Sequence, residues 1–217
     1  MHTERFGDLV RDAELDAPVR SCPGWSLRDL VVHLGGVHRW AAHAVVAGSP
    51  DLRPEPPDDD SRAGLTAWYR RHASHLVDVL TSTAPDAPAW TLDDRDPTAT
   101  FWRRRQVHET AMHVWDAEDA LDQVRPMDPS LAWDGVLEVR DVMYPRQVRL
   151  GRVLPLTHTI HLAGTDVSGD AALGDGEPIV VRAEAEVLLR LLWHRADPGT
   201  HVSDPRARAA LSGALTP

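Results

Sequence analysis

The chain has 217 residues, 42% hydrophobic and 26% charged, an ordinary balance for one large or two small globular domains that bury a real core. Its formal net charge of −10 argues against a nucleic-acid surface, which needs clustered positive charge to meet phosphates. A single cysteine, Cys22, excludes an internal disulfide framework and four-thiolate metal sites.

All 23 basic side chains are Arg, and Lys and Asn are absent, which reads as codon usage of a GC-rich genome. The start, MHTERFGDLV, lacks the basic-then-apolar pattern of a signal peptide, and no apolar run approaches membrane-spanning length, so a cytoplasmic protein is expected.

Residues 3–13 predict a first short helix through Phe6, Leu9 and Val10, closed off by Pro18. In CPGWSLRDLVVHLGGVHRWAAHAVVAG, Pro23-Gly24 is a turn, Ser26 is the expected N-cap, and a second helix runs to about Ala47. Leu27, Leu30, Leu34, Val37, Ala41 and Ala44 form its expected buried stripe. Gly35-Gly36 weakens this helix by roughly 1 kcal/mol per residue, which makes sense if something approaches the backbone closely, with a simple packing reason as the alternative. Three histidines lie on it. His33 and His38 flank the stripe on opposite sides and His43 points away, so periodicity does not choose between the first two.

The Pro- and Asp-rich segment 48–60 reads as a surface loop, and residues 61–81 as a third helix with Leu65, Trp68, Leu76, Val79 and Leu80 for the core. His72 and His75 follow two arginines, lack a nearby carboxylate, and are expected to be solvated. A connection over 84–100 leads to residues 102–121, WRRRQVHETAMHVWDAEDAL, twenty residues without Gly or Pro and therefore one helix. Glu109 and His113 stand four apart on one face, with Asp116 three further on, so one metal ion can be held between the carboxylate and the imidazole. Val107, Ala111, Val114 and Leu121 lie on the opposite face, a pattern that a solvated polar face would also produce.

Beyond Val124 the composition shifts. Residues 130–143 predict a helix, LPLTHTIHLAG alternates with period two, a Gly- and Asp-rich turn follows, and 179–182 is a second strand. Helices over 183–194 and 205–215 complete an α+β chain: a four-helix bundle over residues 1–124 and a small α+β domain over 125–217.

CPGWSLRDLVVHLGG, RRRQVHETAMHVWDAEDA, and the tail HLAGTD with EVLLRLLWHR together resemble the mycothiol-dependent maleylpyruvate isomerase family, whose N-terminal half is a DinB-like four-helix bundle. The resemblance covers the whole chain. It implies a divalent metal, usually zinc, held by His33 of DLVVHLGG and by Glu109 and His113 of HETAMH, with Asp116 accepting a hydrogen bond from a ligand imidazole. His108 projects about 100° from Glu109 and is not carried over as a ligand. The resemblance also implies mycothiol bound between the two domains. Arg195, at the end of LLRLLWHR, is then the candidate catalytic and cofactor-binding residue, because a guanidinium matches a carboxylate bidentately. A helix-terminal Arg held by the dipole is the structural alternative for it. Sequence assigns no side to His158 or His161.

Two imidazoles and a carboxylate leave coordination positions open for a small thiol. The expected chemistry is mycothiol-dependent: isomerisation of an activated cis double bond, or transfer of the thiol to a small electrophile. A metal-dependent hydrolase and a non-catalytic binding protein that keeps the bundle are the alternatives. The partners expected are that thiol and a small electrophile, with neither nucleic acid nor membrane, and with no oligomeric state readable.

Overall fold

The computed structural model describes residues 1–217 and contains two compact units, Met1–Arg125 and Pro126–Pro217. The first unit is built from α1 (His2–Asp12), α2 (Leu27–Ala47), α3 (Arg62–Ser82) and α4 (Ala99–Ala120). Helix α2 starts where expected: the Ser26 hydroxyl accepts from the Asp29 N–H, and the Asp29 carboxylate accepts from the Ser26 N–H. It stops at Gly48, whose φ of +64° closes the helix in the left-handed region that glycine tolerates.

Helices α1 and α2 each pack on both α3 and α4, so the four form a ring in the order α1-α3-α2-α4. Phe6, Leu27, Leu30, Leu34, Leu65 and Tyr69 are fully buried between them. Each such side chain contributes about 1.5–3 kcal/mol through removal of apolar surface from water. One of the paired glycines has the role its cost suggests. A Cβ on Gly35 would lie 2.2 Å from the Trp68 ring, whereas one on Gly36 would meet nothing within 4 Å.

Three sequence expectations change here. On α2, Val37 is only half-buried and His38 takes the core position, together with Val31 and Val45. The apolar stripe thus widens beyond the strict repeat, because α2 is covered by two neighbours rather than one. His72 is buried against the edge of the Trp68 indole, not solvated, while His75 is exposed. And α4 begins at Ala99, earlier than its long uninterrupted run suggested, because the preceding connection is tied down: Trp102 donates its indole N–H to the Trp90 carbonyl, and Pro88 bridges Thr98. Trp90, on that connection, packs against Trp40 and Trp102.

In the second unit α5 (Pro129–Glu138) runs through a π-helical turn (Val139–Met143) into α6 (Tyr144–Arg149). A three-stranded sheet follows, with strands β1 (His158–Gly164), β2 (Asp170–Leu173) and β3 (Glu177–Ala183) in the order β2-β1-β3. β1 pairs antiparallel with β2, Ile160 opposite Leu173, and parallel with β3, Ile160 opposite Ile179. Strand β2 corrects the expectation of a plain turn there: four residues are too few to show a clear period of two in sequence. Ile160 and Leu162 point inward and His161 lies on the other face of the sheet. Helix α7 (Ala185–Leu192) packs on α5, and α8 (Pro198–His201) and α9 (Pro205–Leu211) end the chain.

Candidate metal centre

Helix α4 is buried on both faces: Ala111 and Val114 are 4% and 7% exposed, and the Glu109 and His113 side chains keep only 15% and 10% of their surface. A solvated polar face would keep most of its surface. Across from them, α2 contributes His33, and the ligating atoms of His33, Glu109 and His113 all lie within 4.8 Å of one another. His33 Nε2 is 3.5 Å and His113 Nε2 is 3.3 Å from the same carboxylate oxygen, Glu109 Oε1. The tie between the α2 histidines is thereby resolved, since His38 sits wholly inside the bundle and shares a 3.0 Å hydrogen bond with Thr110 Oγ1.

Each donor is held from behind. His113 Nδ1–H donates to Asp116 Oδ2 at 2.8 Å, which fixes the tautomer and leaves Nε2 facing Glu109 and His33. Asp116 is fully buried and accepts a second hydrogen bond from the Ser21 hydroxyl. The buried Arg105, one turn before Glu109, donates to Glu109 Oε2 and leaves Oε1 to the imidazoles. His33 is flanked by the Trp25 indole, 4.9 Å away between ring centroids.

These last contacts show what the CPGW segment does. Trp25 N–H donates to the Cys22 carbonyl and Val19 N–H to the Trp25 carbonyl, closing a tight loop in which Gly24 takes φ +84°. Arg20 ties that loop to the end of α4 through the Asp119 carbonyl and Asp122. The loop thus delivers Ser21 to Asp116 and Trp25 to His33. Cys22 forms no disulfide and is partly buried against the bundle core, in keeping with a structural role.

Electrostatics follow from this packing. Burial alone would raise the Glu109 pKa, but the Arg105 charge and the hydrogen bonds of His113 and His33 hold it well below the usual carboxylate range. Burial disfavours a charged His113, yet its hydrogen bonds to Asp116 and Glu109 prevail and push it up to about 9. An electron-rich pocket that retains a proton this firmly also favours a divalent cation in its place. The donor set fits such an ion: two neutral-imidazole Nε2 atoms and one carboxylate oxygen, converging, each oriented by a further hydrogen bond or ring. The His33 side chain is 35% exposed, so the cluster is open to small molecules from that side.

Two residues here escaped sequence reasoning. Arg105 stands four before Glu109, a spacing visible in RRRQVHE, but it reads as part of a basic run. Ser21 carries no signal, because only the closed loop brings it to α4. Arg195 lies in the second unit, where its guanidinium donates to the Trp193 carbonyl at 2.6 Å and stands 6.0 Å from the Trp193 ring centroid. His158 and His161 are both partly exposed, at opposite faces of β1.

The class this defines is a four-helix bundle in which two imidazoles and a carboxylate are grouped so that they could hold a metal ion, followed by a small α+β unit. Residues 2–118 match the family described as "Mycothiol maleylpyruvate isomerase N-terminal domain", and the chain belongs to that family. Among solved structures it is similar to a crystal structure of the mycothiol-dependent maleylpyruvate isomerase, with 13% identity, TM-score 0.59, and 90% of this chain and 85% of that chain covered. A crystal structure of a His-to-Ala mutant of the mycothiol-dependent maleylpyruvate isomerase is similar at 12% identity and TM-score 0.57, covering 88% and 83%. At these identities the likeness is one of fold. No curated protein matches. No helix is long and apolar enough to cross a membrane.

Proposed function

We propose that the protein is a metal-assisted, mycothiol-dependent enzyme of the cytoplasm that acts on a small electrophile bearing an activated cis double bond. The observation that carries this reading is the convergence of His33, Glu109 and His113 within 4.8 Å in a chain of this family. When bound, a divalent ion, for which zinc suits the donor set, supplies open positions where a small thiol becomes a thiolate, the nucleophile needed for reversible addition to the double bond. In isomerisation the thiol is returned and no atom is gained or lost, whereas retention of the adduct is S-transfer.

The chain's own groups prepare that chemistry. Glu109 brings one negative charge, tempered by Arg105, so the site holds a dication without repelling an anionic thiol or substrate. Asp116 and Ser21 hold His113 in one tautomer, and Trp25 walls off one side of His33 from water. The protein offers no nucleophile of its own in the cluster, which is consistent with a borrowed thiol. Arg195 is assigned to a carboxylate of the thiol or the substrate.

The test is to incubate metal-loaded protein with maleylpyruvate and follow its conversion to the trans isomer with and without mycothiol. Conversion that requires mycothiol supports isomerisation. Accumulation of a mycothiol adduct supports transfer, and conversion indifferent to the thiol contradicts both. Arg195→Ala is expected to raise KM about tenfold or more with a smaller effect on kcat, as for loss of a charged hydrogen bond to a bound ligand. An unchanged KM would remove Arg195 from the site.

A further inference from the structure

Of the consecutive Arg103, Arg104 and Arg105 on α4, the first two are half-buried and Arg105 is only 3% exposed. Its guanidinium meets one half of the Glu109 carboxylate. Oε1 stands 3.5 Å from His33 Nε2 and 3.3 Å from His113 Nε2, while Oε2 accepts from Arg105 Nη2. Donors at the corners of a tetrahedron with metal bonds of about 2.0–2.1 Å stand about 3.3–3.4 Å apart, so Oε1 already has the spacing of a single ligand oxygen. Oε2 has the opposite surroundings. The guanidinium beside it stays charged, repels a cation, and would be left buried without that carboxylate oxygen if Oε2 turned away.

We infer that Arg105 is a positioning residue that limits Glu109 to one donor oxygen and so keeps a bound divalent ion short of protein ligands and open to a thiol. This rests on the metal-and-thiol reading above. Without the guanidinium, Oε2 is free to turn to the ion, and a position that a thiol would take is filled by the protein instead. A positive charge also leaves the surroundings of the ion. Two changes then go in opposite directions: the ion is held more tightly and the thiol more weakly. Loss of an ordinary i, i+4 helix pair would lower stability and produce neither.

Full-length wild type and Arg105→Met, which keeps an unbranched side chain without the charge, are loaded with cobalt(II), competed with zinc, and titrated with mycothiol. Four-coordinate cobalt absorbs visible light more strongly than cobalt with more ligands, so the variant's absorption should be weaker than the wild type's. Zinc affinity in the variant should rise about tenfold or more, and mycothiol affinity of the loaded protein should fall about tenfold or more. An unchanged cobalt spectrum, zinc affinity no higher than in the wild type, or unchanged mycothiol affinity would overturn this inference alone. A wild type that takes up neither cobalt nor zinc, or that loads metal and ignores mycothiol, would overturn it together with the reading on which it rests. Should Arg105→Met fail to fold, a crystal structure of the zinc-loaded wild type decides. Oε1 on the ion with Oε2 still on Arg105 is expected, and both oxygens on the ion would overturn the inference.

Discussion

Asp116 is not one of the three converging donors, yet it decides which nitrogen of His113 faces the cluster. Asp116→Asn keeps its shape but weakens the acceptor for His113 Nδ1–H, and it is expected to lower metal affinity about 10- to 100-fold without unfolding the bundle. Competition against a zinc-sensitive chelator would measure this, and an unchanged affinity would show that the imidazole needs no such support. His38 gives a second prediction at this scale. Burial lowers its pKa from 6.5 to about 3 in the folded protein. Below pH 6.5 the unfolded chain takes up a proton that the folded chain refuses, so stability is lost as the pH falls from 6.5 toward 3. Between pH 7 and pH 5 that loss comes to about 2 kcal/mol from this one group. His38→Gln can keep a hydrogen bond to Thr110 but does not titrate, so its denaturant midpoint should fall less than that of the wild type over the same interval. Parallel losses in the two proteins would deny His38 this role.

Among the helices, the glycine pair separates packing from propensity. Gly35→Ala drives a methyl into the buried Trp68 ring and should destabilise the bundle by about 1–3 kcal/mol. Gly36→Ala meets open space and should stabilise α2 by roughly 0.5–1 kcal/mol. Thermal unfolding of the two variants in parallel would check the opposite signs. The same helix shows how far sequence reaches. The Ser26 N-cap, the start and end of α2, and the spacing of Glu109 and His113 are local and were legible, because i, i+3 and i, i+4 relations are fixed by helix geometry. Whether His33 or His38 faced α4 was not legible from periodicity, since both border the apolar stripe. The family resemblance pointed to His33, and the geometry brings His33 into the cluster. Ser21 on Asp116 is a contact 95 residues apart in sequence, and β2 is too short to announce itself. His72 misled for a related reason: its arginine neighbours suggested solvent, while the helix turn places it against Trp68.

For the molecule as a whole, fold and family are clear, and the chemistry rests on whether the cluster holds an ion. A ligand that binds only the folded state stabilises it by mass action, so zinc at about 100 times its dissociation constant should add about 2.7 kcal/mol and raise the melting temperature. The most direct measurement is the metal content of protein purified without added metal, compared between the wild type and Glu109→Ala at matched helical content. One zinc-like ion per wild-type chain, lost in the folded variant, is the predicted result. A metal-free wild type that also fails to take up zinc, or a variant that keeps its ion, would contradict the assignment of His33, Glu109 and His113.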